Sequence, residues 1–160
     1  MPSPIAIILS RHSQRLLQIG AALLIVSSFE GFAIPYLGSP RIGLSVHTLS
    51  AYEGVLLLVL GLVWPRLALG STSARLAYGF LVYSALAVLA AYIMAATWGV
   101  GIETIRLMGE LPDGLRRGTP FQETVIKVVV YSSVTGALPF LLIFWGLVRV
   151  GDPRHDTRLE

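Results

Sequence analysis

The stretch LSVHTLSAYEGVLLLVLGLVWPR, residues 44–66, decides the fold of this chain. From Leu44 to Trp64 it is almost wholly apolar and carries a single charge, Glu53. At about 1.5 Å per residue such a helix spans the roughly 30 Å of hydrocarbon in a bilayer. Pro65 then stops the helix, and Arg66 prefers the headgroups. Three further runs have the same character: Leu16 to Leu37, Leu76 to Trp98 and Val125 to Val148. Trp98-Gly99 closes the third with an interfacial aromatic and a helix terminator, and Trp145 with Arg149 closes the fourth. The reading is an all-α integral membrane protein, a four-helix bundle that associates into oligomers. Its transmembrane domain covers residues 1–150, with a polar tail over 151–160.

Composition points the same way. Of the 160 residues, 54% are hydrophobic and 13% charged, with a mean hydropathy of +0.73. A soluble domain carries about 25% charge, so lipid must supply part of this chain's solvent. The net charge of +3 does not indicate nucleic acid, because the Lys and Arg side chains flank the apolar runs. Without cysteine there is no disulfide, thiolate nucleophile or cysteine-ligated metal. Arg11 and Arg15 before the first run also fit a signal peptide, but the run is long, holds Glu30 and lacks a clear cleavage site, so it is expected to be retained. Seven basic residues fall on one side: Arg11, Arg15, Arg66, Arg75, Arg149, Arg154 and Arg158. Five fall on the other: Arg41, Arg106, Arg116, Arg117 and Lys127. The bias predicts both termini in the cytoplasm.

Ionisable groups within membrane helices are costly and mark functional sites by default. Counting inward from the non-cytoplasmic face, His47 lies about 5 Å deep, Tyr92 and Tyr131 about 9 Å, Glu30 about 10 Å and Glu53 about 13 Å. These five form a layer in the outer half, while Leu56–Val63 and Leu138–Leu147 are nearly pure hydrocarbon. On the second helix His47, Ser50 and Gly54 share a face, with Glu53 turned roughly 120° from His47. The other histidines, His12 and His155, lie in polar ends, so only a single histidine is available as an axial ligand. Each residue also has a structural explanation. His47 can bond a loop carbonyl, Glu53 can tie helices together while neutral, the tyrosines can belong to an aromatic belt, and Glu30 can relieve a kink at Gly31. The shared depth of all five argues for a site. Residue pattern alone leaves it open between small-molecule chemistry, transport and scaffolding.

The segments SPRIGLSVH (39–47), EGVL (53–56), LGLVWPRLALG (60–70) and AATWGVG (95–101) resemble the bacterial hydroxylaminobenzene mutases. These are small four-helix membrane enzymes that convert hydroxylaminobenzene-type compounds to aminophenols. A more distant similarity joins them to styrene oxide isomerase, which turns an aryl epoxide into an aldehyde. The likeness covers about residues 12–150. It implies haem b as cofactor, with His47 as iron ligand and Tyr92 contacting the reacting substrate, in a homotrimer with haem at its interfaces. Both relatives place asparagine where this chain has Glu53, whose carboxylate suits a base or proton relay. The remaining polar residues, Ser50, Glu30 and Tyr131, are the expected substrate contacts. The implied reaction uses ferric haem as a Lewis acid without net redox, on a small hydrophobic aromatic substrate that partitions into lipid. The expected setting is the bacterial inner membrane. Epoxide isomerisation is the second reading, and a non-catalytic haem-binding or transport subunit is the third.

Overall fold

A computed structural model describes residues 4–101, 104 and 118–150 of the chain. The helices are α1 (Pro4–Glu30), α2 (Pro40–Val63), α3 (Ser71–Trp98), α4 (Pro120–Ser133) and α5 (Ala137–Val150). A single 3-10 turn, Val134–Gly136, joins α4 to α5, so the two act as one broken fourth rod. No strand element occurs among the described residues. The rods alternate in direction, giving the expected all-α membrane bundle. The connection's charged residues Glu103, Arg106, Glu110, Asp113, Arg116 and Arg117, together with the 151–160 tail, lie outside the described residues.

Three of the four rods, Pro40–Arg66, Ser71–Trp98 and Pro120–Arg149, are long and apolar enough to cross a membrane. The sequence reading expected four. α1 is as long, at 27 residues, but carries Arg11, Arg15 and Gln18 and ends on Glu30. Its place beside the others comes from packing. Along α1 and α2, Ser13 meets Gly61, Gly20 meets Gly54 and Ser27 meets His47, each pair seven residues beyond the last on both helices. The Ser13 hydroxyl donates to the Gly61 carbonyl at 2.7 Å. At Gly20 an added Cβ would lie 2.7 Å from the Gly54 carbonyl oxygen, so the two backbones touch. A seven-residue repeat of small residues is the signature of an antiparallel, left-handed helix pair in close contact. Gly54 and Gly61 are therefore used for contact within the chain.

Boundaries follow local chemistry. α1 ends at Glu30, a full seven residues before the apolar run does, because Gly31 and Pro35 break the helix and Pro35 opens a 3-10 turn over Ile34–Tyr36. Glu30 is thus a terminal residue of its helix, not one buried two turns inside it. The connection folds back over the bundle end, where the Ser39 amide donates to the Ala96 carbonyl at 2.9 Å. α3 stops at Trp98 as expected, with Gly99 in the left-handed conformation at φ 66°. α4 starts five residues ahead of its apolar run, at Pro120, through a capping box between Thr119 and Gln122. The break after Ser133 answers to Pro139, which has no amide proton to return to residue 135. There the Ser84 hydroxyl donates to the Ser133 carbonyl at 2.6 Å, and Tyr83 donates to the Ser132 hydroxyl at 2.9 Å. At the opposite end the Arg149 guanidinium lies 3.6 Å over the Trp145 ring, a cation–π anchor at the membrane boundary.

His12 is not a solvated end residue. Its ring stacks on Tyr78 at 4.4 Å and meets the edge of fully buried Trp64 at 6.4 Å. It precedes the apolar run of α1, and burial, aided by the Arg15 and Arg75 guanidiniums, holds its pKa below the usual value. A neutral ring is what this aromatic cluster requires.

Gly20→Ala should lower the unfolding temperature in detergent by forcing α1 from α2, a cost of about 1–3 kcal/mol for overpacking. Gly79→Ala, where an added Cβ meets nothing within 4 Å, should leave stability unchanged or raise it by up to about 1 kcal/mol through helix propensity. Thermal unfolding followed by circular dichroism distinguishes the two.

Candidate functional site

The seam between α1 and α2 brings three of the expected residues together. His47, half-buried on α2, faces α1, and its Nδ1 lies 2.8 Å from the Ser27 carbonyl oxygen and 3.3 Å from the Ser27 hydroxyl. That hydroxyl donates to the His47 carbonyl at 3.0 Å. One turn further along α2, the Ser50 hydroxyl is 3.4 Å from Glu30 Oε2. It also faces the Val46 carbonyl at 2.9 Å and the His47 carbonyl at 3.1 Å. His47 and Ser50 therefore share the face that spacing assigned them, and Glu30 meets them at one level. At Gly31 an added Cβ would stand 3.8 Å from the His47 ring, in ordinary contact with it. His47 Nε2 makes no hydrogen bond among the described residues.

Glu53 is turned elsewhere. It is only 6% exposed, and its Oε2 has no partner among the described residues. Seven residues before it on α2, and so on nearly the same face, Val46 lines a cavity of about 140 Å³ between α1, α2 and α3. Glu30, Val26, Leu37, Ile93, Ala96 and Thr97 complete that cavity. A carboxyl in such a setting is costly when unpaired, which marks it as retained for something other than stability.

Tyr92 belongs to a second concavity. It lines an open groove of about 510 Å³ between α2 and α3, together with Leu44, Ser45, Thr48, Leu49, Tyr52 and Val88. The Ser45 and Thr48 hydroxyls are returned to their own helix, on the Arg41 and Leu44 carbonyls, so the groove is apolar with phenols at its edge. Within one chain, then, His47 looks to α1 while Tyr92 borders the groove between α2 and α3. Tyr131 stands apart from both: it is 63% exposed on α4, with no side-chain hydrogen bond among the described residues.

Two contributors were not legible in the sequence. Ser27 was one serine among several in the first run, and only the register of α1 against α2 sets it opposite His47. Glu123, two residues before the fourth apolar run, is buried inside the first turn of α4. Its Oε1 accepts from the Gly101 amide at 3.1 Å and the Gly118 amide at 3.0 Å, pinning both ends of the long connection to the bundle. The one available signal was its place next to the Thr119–Gln122 capping box. No group of three or more His, Asp or Glu side chains suited to a metal ion occurs among the described residues, so a metal here depends on the single imidazole.

Against known proteins, the profile of the styrene oxide isomerase family matches residues 12–148. Hydroxylaminobenzene mutase HabB of Ectopseudomonas oleovorans is 38% identical over 146 residues, covering 91% of this chain and 86% of that protein. Hydroxylaminobenzene mutase HabA of the same organism is 28% identical over 132 residues, covering 81% of this chain and 94% of that protein. No solved structure matches the chain.

Replacing Glu53 by Leu should raise the unfolding temperature, since it removes a buried carboxyl oxygen that no partner compensates, worth about 1–3 kcal/mol. A fall in unfolding temperature would mean that the carboxyl ties the helices together.

Proposed function

The chain belongs to the styrene oxide isomerase family, and from that premise we propose that it rearranges a small aromatic hydroxylamine to an aminophenol with haem b as cofactor. As a family member it is an intramolecular isomerase, or mutase. The substrate is inferred from its hydroxylaminobenzene mutase relatives. The observation that carries the cofactor is the state of one imidazole. His47 is held at Nδ1 by α1 and has its Nε2 without a hydrogen-bond partner among the described residues. An imidazole fixed at one nitrogen and open at the other fits an axial iron ligand. Ferric haem, when bound, supplies a Lewis acid for the substrate's N–O oxygen without net electron transfer.

The chain's own residues account for the rest. In this isomerisation the N–O bond breaks and a ring C–O bond forms, while the ring loses one proton and the nitrogen gains one. A single group that accepts a proton and returns it therefore suffices. Glu53 and Tyr92 are the groups for that role, the carboxyl as base and relay and the phenol against the developing charge. Ser50, Glu30 and Tyr131 are the proposed substrate contacts. The apolar groove beside Tyr92 admits an aromatic ring from the bilayer and keeps out water that would divert a cationic substrate.

The same reading sets the active unit as a homo-oligomer, a trimer by resemblance. Tyr92 lines the α2–α3 groove while the His47 ring is held against α1, and a neighbouring copy would bring an imidazole and a phenol to one substrate. We place the protein in a bacterial inner membrane with both termini cytoplasmic. The alternating rods bring Arg15, Arg66, Arg75 and Arg149 to one end, in line with the positive-inside rule. Epoxide-to-aldehyde isomerisation is the second reading, favoured by the family whose profile the chain matches.

Purified in detergent, the protein should show a Soret band that His47→Ala abolishes, and a colourless preparation free of metal would remove the haem reading. Phenylhydroxylamine and styrene oxide, supplied separately with identification of products, decide between the two substrates. Glu53→Gln should keep haem and lower turnover by on the order of a hundredfold, the scale of general acid–base catalysis. Unchanged turnover would reduce Glu53 to a structural residue.

A further inference from the structure

We infer that Ser27 is the positioning residue that decides which nitrogen of His47 is free. The inference rests on the reading of His47 as an iron ligand and adds the group that makes it one. A hydroxyl has one proton to give. The Ser27 hydroxyl stands 3.0 Å from the His47 carbonyl oxygen, which can only accept, so the proton is directed there. What Ser27 Oγ turns to His47 Nδ1, at 3.3 Å, is a lone pair. The Ser27 carbonyl oxygen, 2.8 Å from the same nitrogen, offers only lone pairs as well. Two acceptors face Nδ1, so Nδ1 carries the hydrogen. A neutral imidazole has one N–H, and Nε2 is left with its lone pair outward. The opposite tautomer would set the Nδ1 lone pair against those of the Ser27 carbonyl at 2.8 Å, in a place closed to water, since Ser27 is only 4% exposed.

The device is stiff as well as selective. Ser27 and His47 form the last of the three contacts in the α1–α2 seam, so the ring is tied to helix backbone on both sides. The acceptor at Nδ1 is a neutral carbonyl, and no carboxylate hydrogen-bonds this nitrogen among the described residues. The ligand is accordingly a neutral imidazole without imidazolate character, the form that leaves ferric iron most electron-poor and most acidic toward an oxygen.

The test compares Ser27→Ala and Ser27→Thr with the parent in detergent. The readouts are the ferrous Fe–N(His) stretching frequency by resonance Raman and the rate of haem transfer to an acceptor apoprotein. Ser27→Ala keeps the carbonyl but loses the hydroxyl that aligns it. It should shift or broaden the Fe–N(His) band and speed haem loss roughly tenfold, the lower end of what outer ligand-shell changes cost. Ser27→Thr, which keeps the hydroxyl, should restore the parent band. Should that variant fold poorly, the alanine variant alone decides, since Ala suits a helix. An unchanged band and unchanged haem retention in Ser27→Ala overturn the role of the Ser27 hydroxyl while leaving His47 as ligand. A parent protein without haem overturns the ligand reading itself.

Discussion

Everything about this chain's geometry depends on two helix backbones in direct contact. At Gly20 and Gly54 there is no space between α1 and α2 for a single methyl group. In a membrane, where lipid is as apolar as leucine, such close packing is a main source of specific helix pairing. It fixes the register, and the register repeats every seven residues to set Ser13 on Gly61 and Ser27 on His47. α1, the most polar of the four rods, is held by this seam more than by its own hydropathy. Moving it one residue would turn every side chain of the seam by about 100° and leave His47 without its partner.

The same seam explains why polar side chains gather at one end of the bundle. α1 stops at Glu30, and the connection over residues 31–39 bends back onto α3 through the Ser39–Ala96 hydrogen bond. This covers the level where Ser27, Glu30, His47 and Ser50 meet. Glu123 clamps the other connection near the same end by taking two backbone amides on one oxygen. The opposite end is closed by rings, with His12, Trp64 and Tyr78 packed together. One end spends polar groups on hydrogen bonds across helices, and the other is a hydrophobic plug edged with arginine.

An isomerase needs little from its protein beyond orientation, dryness and a place to park a proton. The described arrangement offers each in a separate location. The imidazole sits in the seam, Glu53 is buried on α2, and Tyr92 borders the groove between α2 and α3. Within one chain these groups sit on separate faces of α2 and on α3.

The sequence by itself determined depth. Hydropathy, Pro65, Trp98-Gly99 and Arg149 marked the apolar helices along the chain, and helical spacing put His47 and Ser50 on one face, where Ser50 also reaches Glu30. It also set the class of fold, for a chain this apolar has no stable alternative in water. It misplaced the end of α1 and missed Pro139's break between α4 and α5, because both lie inside unbroken apolar text. Only the tertiary structure decided azimuth: that His47 turns to Ser27, that Glu53 is buried, that Tyr92 opens on a groove and that Tyr131 faces outward. A soluble helix advertises its buried side by a stripe of apolar residues. A helix that is apolar all round carries no such stripe, so which neighbour covers which face is settled by where glycine and serine let backbones meet.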